Sequence, residues 1–236
     1  MQPEDRFERH IARNPYPGRG LLIGRSETGN DWLIVYWIMG RSDHSRNRKF
    51  VVAGTTLRTE PVDAAQVKDP SLIIYEAMLE HPGVYMVSNG DQTRTIHDAL
   101  QVGSTFEAAL ATREREPDAP NYTPRISAML DFRNGDPVLV LSLLKANPFN
   151  PAHTDRTTFR PASPPPGYGV GLTTYMGDGT PLPAYTGDPL SLPCRGSAND
   201  VLETYWQALD TQNRIALAVK KIDPESGNST IIVKPR

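Results

Sequence analysis

The longest unbroken apolar run in the chain is Trp32 to Met39, in which every position is hydrophobic. A half-wet strand would alternate, so an unbroken run predicts a strand covered on both faces. Leu21 to Arg25 precedes it across Glu27-Thr28-Gly29-Asn30-Asp31, a turn-rich stretch that predicts a hairpin. Lys49 to Ala53 reads as a third strand. Leu72 to Leu79 carries both signals. Ile73-Ile74-Tyr75 favours strand, Glu76 to Leu79 favours helix, and strand is the reading taken. His81-Pro82-Gly83 turns into a further strand, Val84 to Val87. Ile126 to Phe132 and Val138 to Leu144 flank Arg133-Asn134-Gly135-Asp136, and Asn-Gly between apolar runs is a strong hairpin signal because both residues tolerate positive φ. Val170 to Tyr175 forms another strand. Arg214 to Lys220 and Ser229 to Val233 close the chain as a hairpin across Pro224 to Asn228.

Helical spacing is scarcer. Ser104 and Glu107 stand at capping-box separation, and Phe106, Ala109 and Leu110 follow, predicting a helix to about Arg115 before Pro117 ends it. Ser197 opens the clearest helix, with Val201, Leu202, Tyr205, Trp206 and Leu209 on one face. Residues 1–14 read as a helical or irregular leader. Residues 145–168 are Pro-rich without periodicity, a long loop of the functional or covering kind. At least eight strands, mostly hairpin-connected, and two helices with one apolar face each need mutual cover. Two stacked antiparallel sheets flanked by helices supply it. The expectation is an α+β fold in a single domain, residues 1–236.

Composition narrows the class. Hydrophobic content of 38% with 22% charged residues is that of a globular protein. A net charge of −2 gives no overall field for nucleic acid or an anionic membrane. No apolar run approaches a membrane span, residues 1–14 lack a signal-peptide core, and Cys194 is the one cysteine. A cytoplasmic setting is the expectation.

Against that balance, Arg41 to Lys49 holds three arginines and a lysine against one aspartate. It follows a buried strand, where ligands are commonly held. Such a run also suits a solvated surface loop. The interleaved Ser42, Ser45 and Asn47 favour an oxyanion site, for phosphate above all, since planar guanidinium groups bind its oxygens in pairs. Ser88-Asn89-Gly90-Asp91 ends another strand, as a plain turn or as part of a site. Glu114-Arg115-Glu116-Pro117-Asp118 places carboxylates at a predicted helix C-terminus, which the helix dipole disfavours. Gly167-Tyr168-Gly169-Val170-Gly171 misses the dinucleotide-binding spacing, the five histidines show no metal-ligand spacing, and Cys194 reads as packing.

Several of these segments together resemble the archaeal-type IMP cyclohydrolases: Tyr16-Pro17-Gly18-Arg19-Gly20, Arg41-Ser42 with Asn47-Arg48, Ser88-Asn89-Gly90-Asp91, and Thr123-Pro124-Arg125-Ile126. Thr173-Thr174-Tyr175-Met176-Gly177-Asp178-Gly179 is similar to a longer bacterial branch of that family. The resemblance covers most of residues 16–180. It implies a four-layer α-β-β-α sandwich like that of the N-terminal-nucleophile hydrolases. It also implies closure of 5-formamidoimidazole-4-carboxamide ribotide (FAICAR) to IMP with loss of water, without metal or organic cofactor. Carried onto this chain, it assigns Arg41, Arg48, Ser42 and Asn47, with Arg19 nearby, to the ribotide phosphate. Asn89, Asp91 and Thr123 become further substrate contacts, Glu116 and Tyr75 the proton movers, and Arg125 the oxyanion partner. The partner expected is a purine ribonucleotide, with neither nucleic acid nor membrane, and self-association into a homo-oligomer is left open. A catalytically silent purine-nucleotide sensor and another amide hydrolase on the same fold are the alternatives.

Overall fold

The computed structural model describes residues 1–67, 70 and 73–236. Two antiparallel sheets face one another. The first runs, edge to edge, β11 (Leu190–Pro193), β10 (Tyr168–Thr173), β1 (Gly20–Arg25), β2 (Trp32–Met39), β12 (Arg214–Ile222) and β13 (Ser229–Pro235). The second runs β3 (Lys49–Ala53), β4 (Thr56–Glu60), β5 (Tyr75–His81), β6 (Val84–Ser88), β7 (Arg125–Asp131), β8 (Val138–Ala146) and β9 (Thr154–Phe159).

The central place of β2 explains its composition. Tyr36 points between the sheets, with its ring centroid 5.5 Å from that of Phe50. Its neighbour Trp37 points to the outer layer, 5.9 Å from Tyr205 of helix α5 (Ala198–Ala208). All eight residues of β2 are buried, and both faces are apolar because both are covered. α5 packs on β12 and β13, with Ser197 capping it in a reciprocal pair with Asp200. On the opposite side α3 (Gln92–Gln101) lies over β5 and β6, and α4 (Phe106–Leu110) packs beside it. Ile96, Leu100, Phe106 and Leu110 meet Val84, Met86, Met129 and Val140 in an apolar cluster beneath these two helices. The order is helix, sheet, sheet, helix, as the unbroken apolar strands require.

Several elements differ from the sequence reading. β4, α3 and β11 were not anticipated. β9 crosses the stretch 145–168 that reads as loop. The α4 helix is capped by Thr105, whose side chain accepts from Ala108 N, and it ends at Leu110 well short of Arg115. The strand expected from Leu72 begins at Tyr75, and Leu72 itself lies outside the described residues. The described residues also include α1 (Pro3–Phe7), continued by a π-helical turn, Glu8–Ala12, then α2 (Asp43–Arg46) inside the arginine-rich segment, and a 3-10 turn, Ala64–Gln66. Among the described residues no helix is long and apolar enough to cross a membrane.

Candidate active site

The start of β1, the end of β2, the start of β7 and the end of β10 meet at one end of the sandwich. They enclose a cavity of about 300 Å³. A larger cavity, about 920 Å³, lies along the Pro161–Pro165 segment, with Arg160 and Asp188 as its charged lining residues. The smaller one gathers more charged groups.

Its deepest feature is an ion pair. Arg19, one residue ahead of β1, donates to Glu116 Oε2 at 2.9 Å and to the Asn89 carbonyl at 2.8 Å, and its Nη1 lies 2.8 Å from Glu116 Oε1. Both side chains are over nine-tenths buried. Burial works against charge on Arg19, but the Glu116 carboxylate outweighs it and the guanidinium pKa stands well above its ordinary value. Gly18 makes the approach feasible. Its φ is +72°, and a Cβ there would overlap Thr174 and the Tyr175 ring.

The mouth is cationic. Arg41 lies over the Tyr16 ring, 5.1 Å from its centroid, and pairs with Asp178. Arg48 is buried and donates to the Met39 carbonyl at 3.0 Å and the Ser45 carbonyl at 2.8 Å. Ser42 caps α2 in a reciprocal pair with Ser45. His44, in the first turn, also lines the cavity, and its Nδ1 is buried with no hydrogen-bond partner among the described residues. The helical turn holds Arg41 and Arg48 on one side of the loop.

On the opposite wall, Thr123 Oγ1 bridges the Asp118 carboxylate and the Tyr175 hydroxyl. Asp118 also accepts from Thr123 N at 2.7 Å. Tyr175 stacks on Tyr16, with centroids 5.9 Å apart and planes inclined by 24°. Burial pushes the Tyr175 phenol well above its ordinary pKa.

Of the residues singled out in the sequence, Arg19, Arg41, Ser42, Arg48, Glu116 and Thr123 line this cavity. The other five are not among the residues that line it, and each is engaged in contacts of its own. The Asn47 side chain is tied to the backbone of Asp63 by two 2.7 Å bonds. Asn89 pins the end of β6 to the start of β7 through Pro124 O and Ile126 N. Asp91 joins Arg113 and Arg125, and Arg125 also donates to Gln92 at 2.7 Å. The Tyr75 hydroxyl meets that of Tyr36 at 2.8 Å. Tyr16, His44, Asp118 and Tyr175 line the cavity and were not singled out as site residues. Tyr16 and Tyr175 stand inside the motifs that carried the resemblance, and Asp118 closes the acidic run after α4. The missing signal was which of these neighbours face inward.

A family model described as IMP cyclohydrolase-like protein matches residues 16–227. That span reaches past residue 180 to include α5, β12 and the turn after it. No curated protein matches the chain.

Proposed function

The chain belongs to the IMP cyclohydrolase-like family, and from that premise we propose that its cavity closes FAICAR to IMP with loss of water. The observation that carries the reading is the buried Arg19–Glu116 pair at the floor of a cavity whose mouth holds Arg41 and Arg48. A ribotide has one strongly anionic end and one neutral, polar, reacting end, and the cavity has the complementary halves.

In this reading the phosphate sits at the mouth against Arg41 and Arg48, with His44 beside them. The imidazole lies along Tyr16 and Tyr175. The carboxamide and formamide groups, adjacent on one ring, face Arg19 and Glu116. Holding them in near-attack geometry lowers the barrier by several kcal/mol, up to the roughly 7–11 kcal/mol of well-oriented systems. Glu116 orients the carboxamide by accepting from its N–H. Arg19 faces the formyl oxygen and stabilises charge there as the carboxamide nitrogen adds to the formyl carbon. The carbinolamine then loses its hydroxyl as water. Two protons leave ring-bound nitrogens, and both end on the departing oxygen. A cytoplasmic location and a single-domain enzyme are part of the same proposal.

Ultraviolet detection of IMP formed from FAICAR, in EDTA, tests it. Turnover that disappears in Glu116→Gln while ribotide affinity remains is the expected result. Tight binding of IMP with no turnover in the parent protein would make the chain a nucleotide sensor instead. Neither turnover nor binding would remove both.

A further inference from the structure

Ring closure needs a group that takes the carboxamide proton, and the two residues first expected to do so are otherwise engaged. Glu116 is held in the ion pair with Arg19, with Oε2 accepting from it and Oε1 2.8 Å from Nη1. Tyr75 is not among the residues that line the cavity, and its hydroxyl meets that of Tyr36. The opposite wall offers a different arrangement, whose polarity follows from donor and acceptor chemistry. A carboxylate can only accept, so the Thr123 hydroxyl donates to Asp118. That hydroxyl has one proton, so the Tyr175 hydroxyl must donate to Thr123 Oγ1. The phenol proton therefore points away from the cavity, and the phenol oxygen is left as an acceptor beside it.

We infer that Tyr175, Thr123 and Asp118 form a proton relay in which Tyr175 touches the substrate and Asp118 stores the proton between ring closure and dehydration. The inference rests on the reaction proposed above. As the carboxamide nitrogen bonds to the formyl carbon, its proton passes to the Tyr175 oxygen. The Tyr175 proton passes to Thr123 Oγ1, and the Thr123 proton to the Asp118 carboxylate. The π pair of the formyl C=O moves onto oxygen, facing Arg19. The relay then runs in reverse, and the stored proton goes to that oxygen. The C–O bond breaks as the formamide N–H proton passes to the departing hydroxyl and the N–H bonding pair becomes the new C=N bond, so that water leaves. No phenolate forms at any stage, which suits a phenol whose ionisation burial opposes. Asp118 is half-buried at the far end of the relay. Tyr175 is the catalytic residue of the three. Thr123 and Asp118 act through it.

The test compares Thr123→Val, which keeps the shape and removes the hydroxyl, with Thr123→Ser, which restores it. Expected are a kcat at least about 100-fold lower in the valine variant with KM for FAICAR within about threefold, and recovery of most of the rate in the serine variant. The parent should show a solvent deuterium isotope effect with a curved proton inventory, the mark of several protons in flight, and Asp118→Asn should abolish the curvature. A valine variant with parental kcat, or a linear inventory in the parent, overturns the relay and leaves the cyclohydrolase reading intact. Absence of turnover in the parent overturns both. Thermal unfolding of each variant separates a lost relay from a lost fold.

Discussion

Tyr36 of β2 and Tyr75 of β5 reach from opposite sheets until their hydroxyls are 2.8 Å apart, beside Arg19. One phenol donates to the other, so both hydroxyl oxygens buried between the sheets are engaged in one hydrogen bond. Burial raises the Tyr36 pKa well above its ordinary value, which keeps its phenol neutral. The consequence is structural. Tyr75→Phe leaves the Tyr36 hydroxyl short of a partner and should cost about 1 kcal/mol of stability by urea unfolding. Its turnover should fall less than about tenfold. A loss of 100-fold or more at unchanged stability would put the Tyr75 hydroxyl on the reacting atoms after all.

Arg19 and Glu116 make the opposite case, in which partner and function coincide. Removing one member of a buried ion pair strands the other charge, typically at about 3–5 kcal/mol. For a chain of this size that corresponds to roughly 6–20 °C in Tm. Glu116→Ala is expected to show this loss. Glu116→Gln, which keeps a carbonyl acceptor for Arg19, should lose clearly less stability and yet lose turnover. Calorimetry beside the IMP assay reads both. Equal thermal loss in the two variants would mean that charge, and not the hydrogen-bond geometry, holds the floor of the cavity.

The parts of this architecture that were legible in the chain are those where packing and pattern agree. Trp32 to Met39 is apolar on both faces because a sheet covers one and α5 the other, and Asn134-Gly135 marks a hairpin by its backbone freedom alone. The elements that escaped have weak patterns for physical reasons. α3 opens on Gln92 and Thr93, which are buried and polar, and presents few apolar residues to its neighbours. β9, Thr-Asp-Arg-Thr-Thr-Phe, is an edge strand with wet positions throughout. β4 likewise mixes Thr, Arg and Glu. In the site, Arg41 and Arg48 were found by residue type, and Arg19 and Glu116 by the family resemblance; the helix expected to reach Glu114 and Glu116 ends at Leu110. Thr123 and Tyr175 are 52 residues apart. Their contact depends on β7 and β10 ending at the same mouth, which no local spacing reveals.

Asp91 gives the pH dependence a sign. Burial works to raise its carboxyl, but hydrogen bonds and charge from Arg113 and Arg125 outweigh this and hold it below the ordinary 3.8. A depressed carboxyl pKa contributes stability above the unfolded value and loses it as pH falls through the folded one. Asp91 is 46% exposed at its side chain, so solvent screens the contribution and its size stays small. Urea midpoints for the parent and Asp91→Asn should differ above about pH 4, with the parent higher. The two curves should converge as pH falls further. A gap that persists unchanged into strong acid would show that the charge of Asp91 contributes nothing.

Arg41 is already paired, with Asp178 across the mouth of the cavity. An incoming phosphate must compete with that carboxylate, so the two residues should have opposite effects on affinity. A charge-assisted hydrogen bond is worth about 1.5–3 kcal/mol, and Arg41→Ala should weaken ribotide binding roughly ten- to a hundredfold. The Arg41–Asp178 pair is exposed, and pairs of that kind are worth roughly 0.2–1 kcal/mol. Asp178→Asn should therefore tighten binding by no more than about fivefold, and raising the salt concentration should erase the gain. Calorimetric titration with IMP at low and high salt reads both effects. Weaker binding in Asp178→Asn would mean that the carboxylate serves to aim Arg41 at the ligand, and that the guanidinium drifts from the mouth once released.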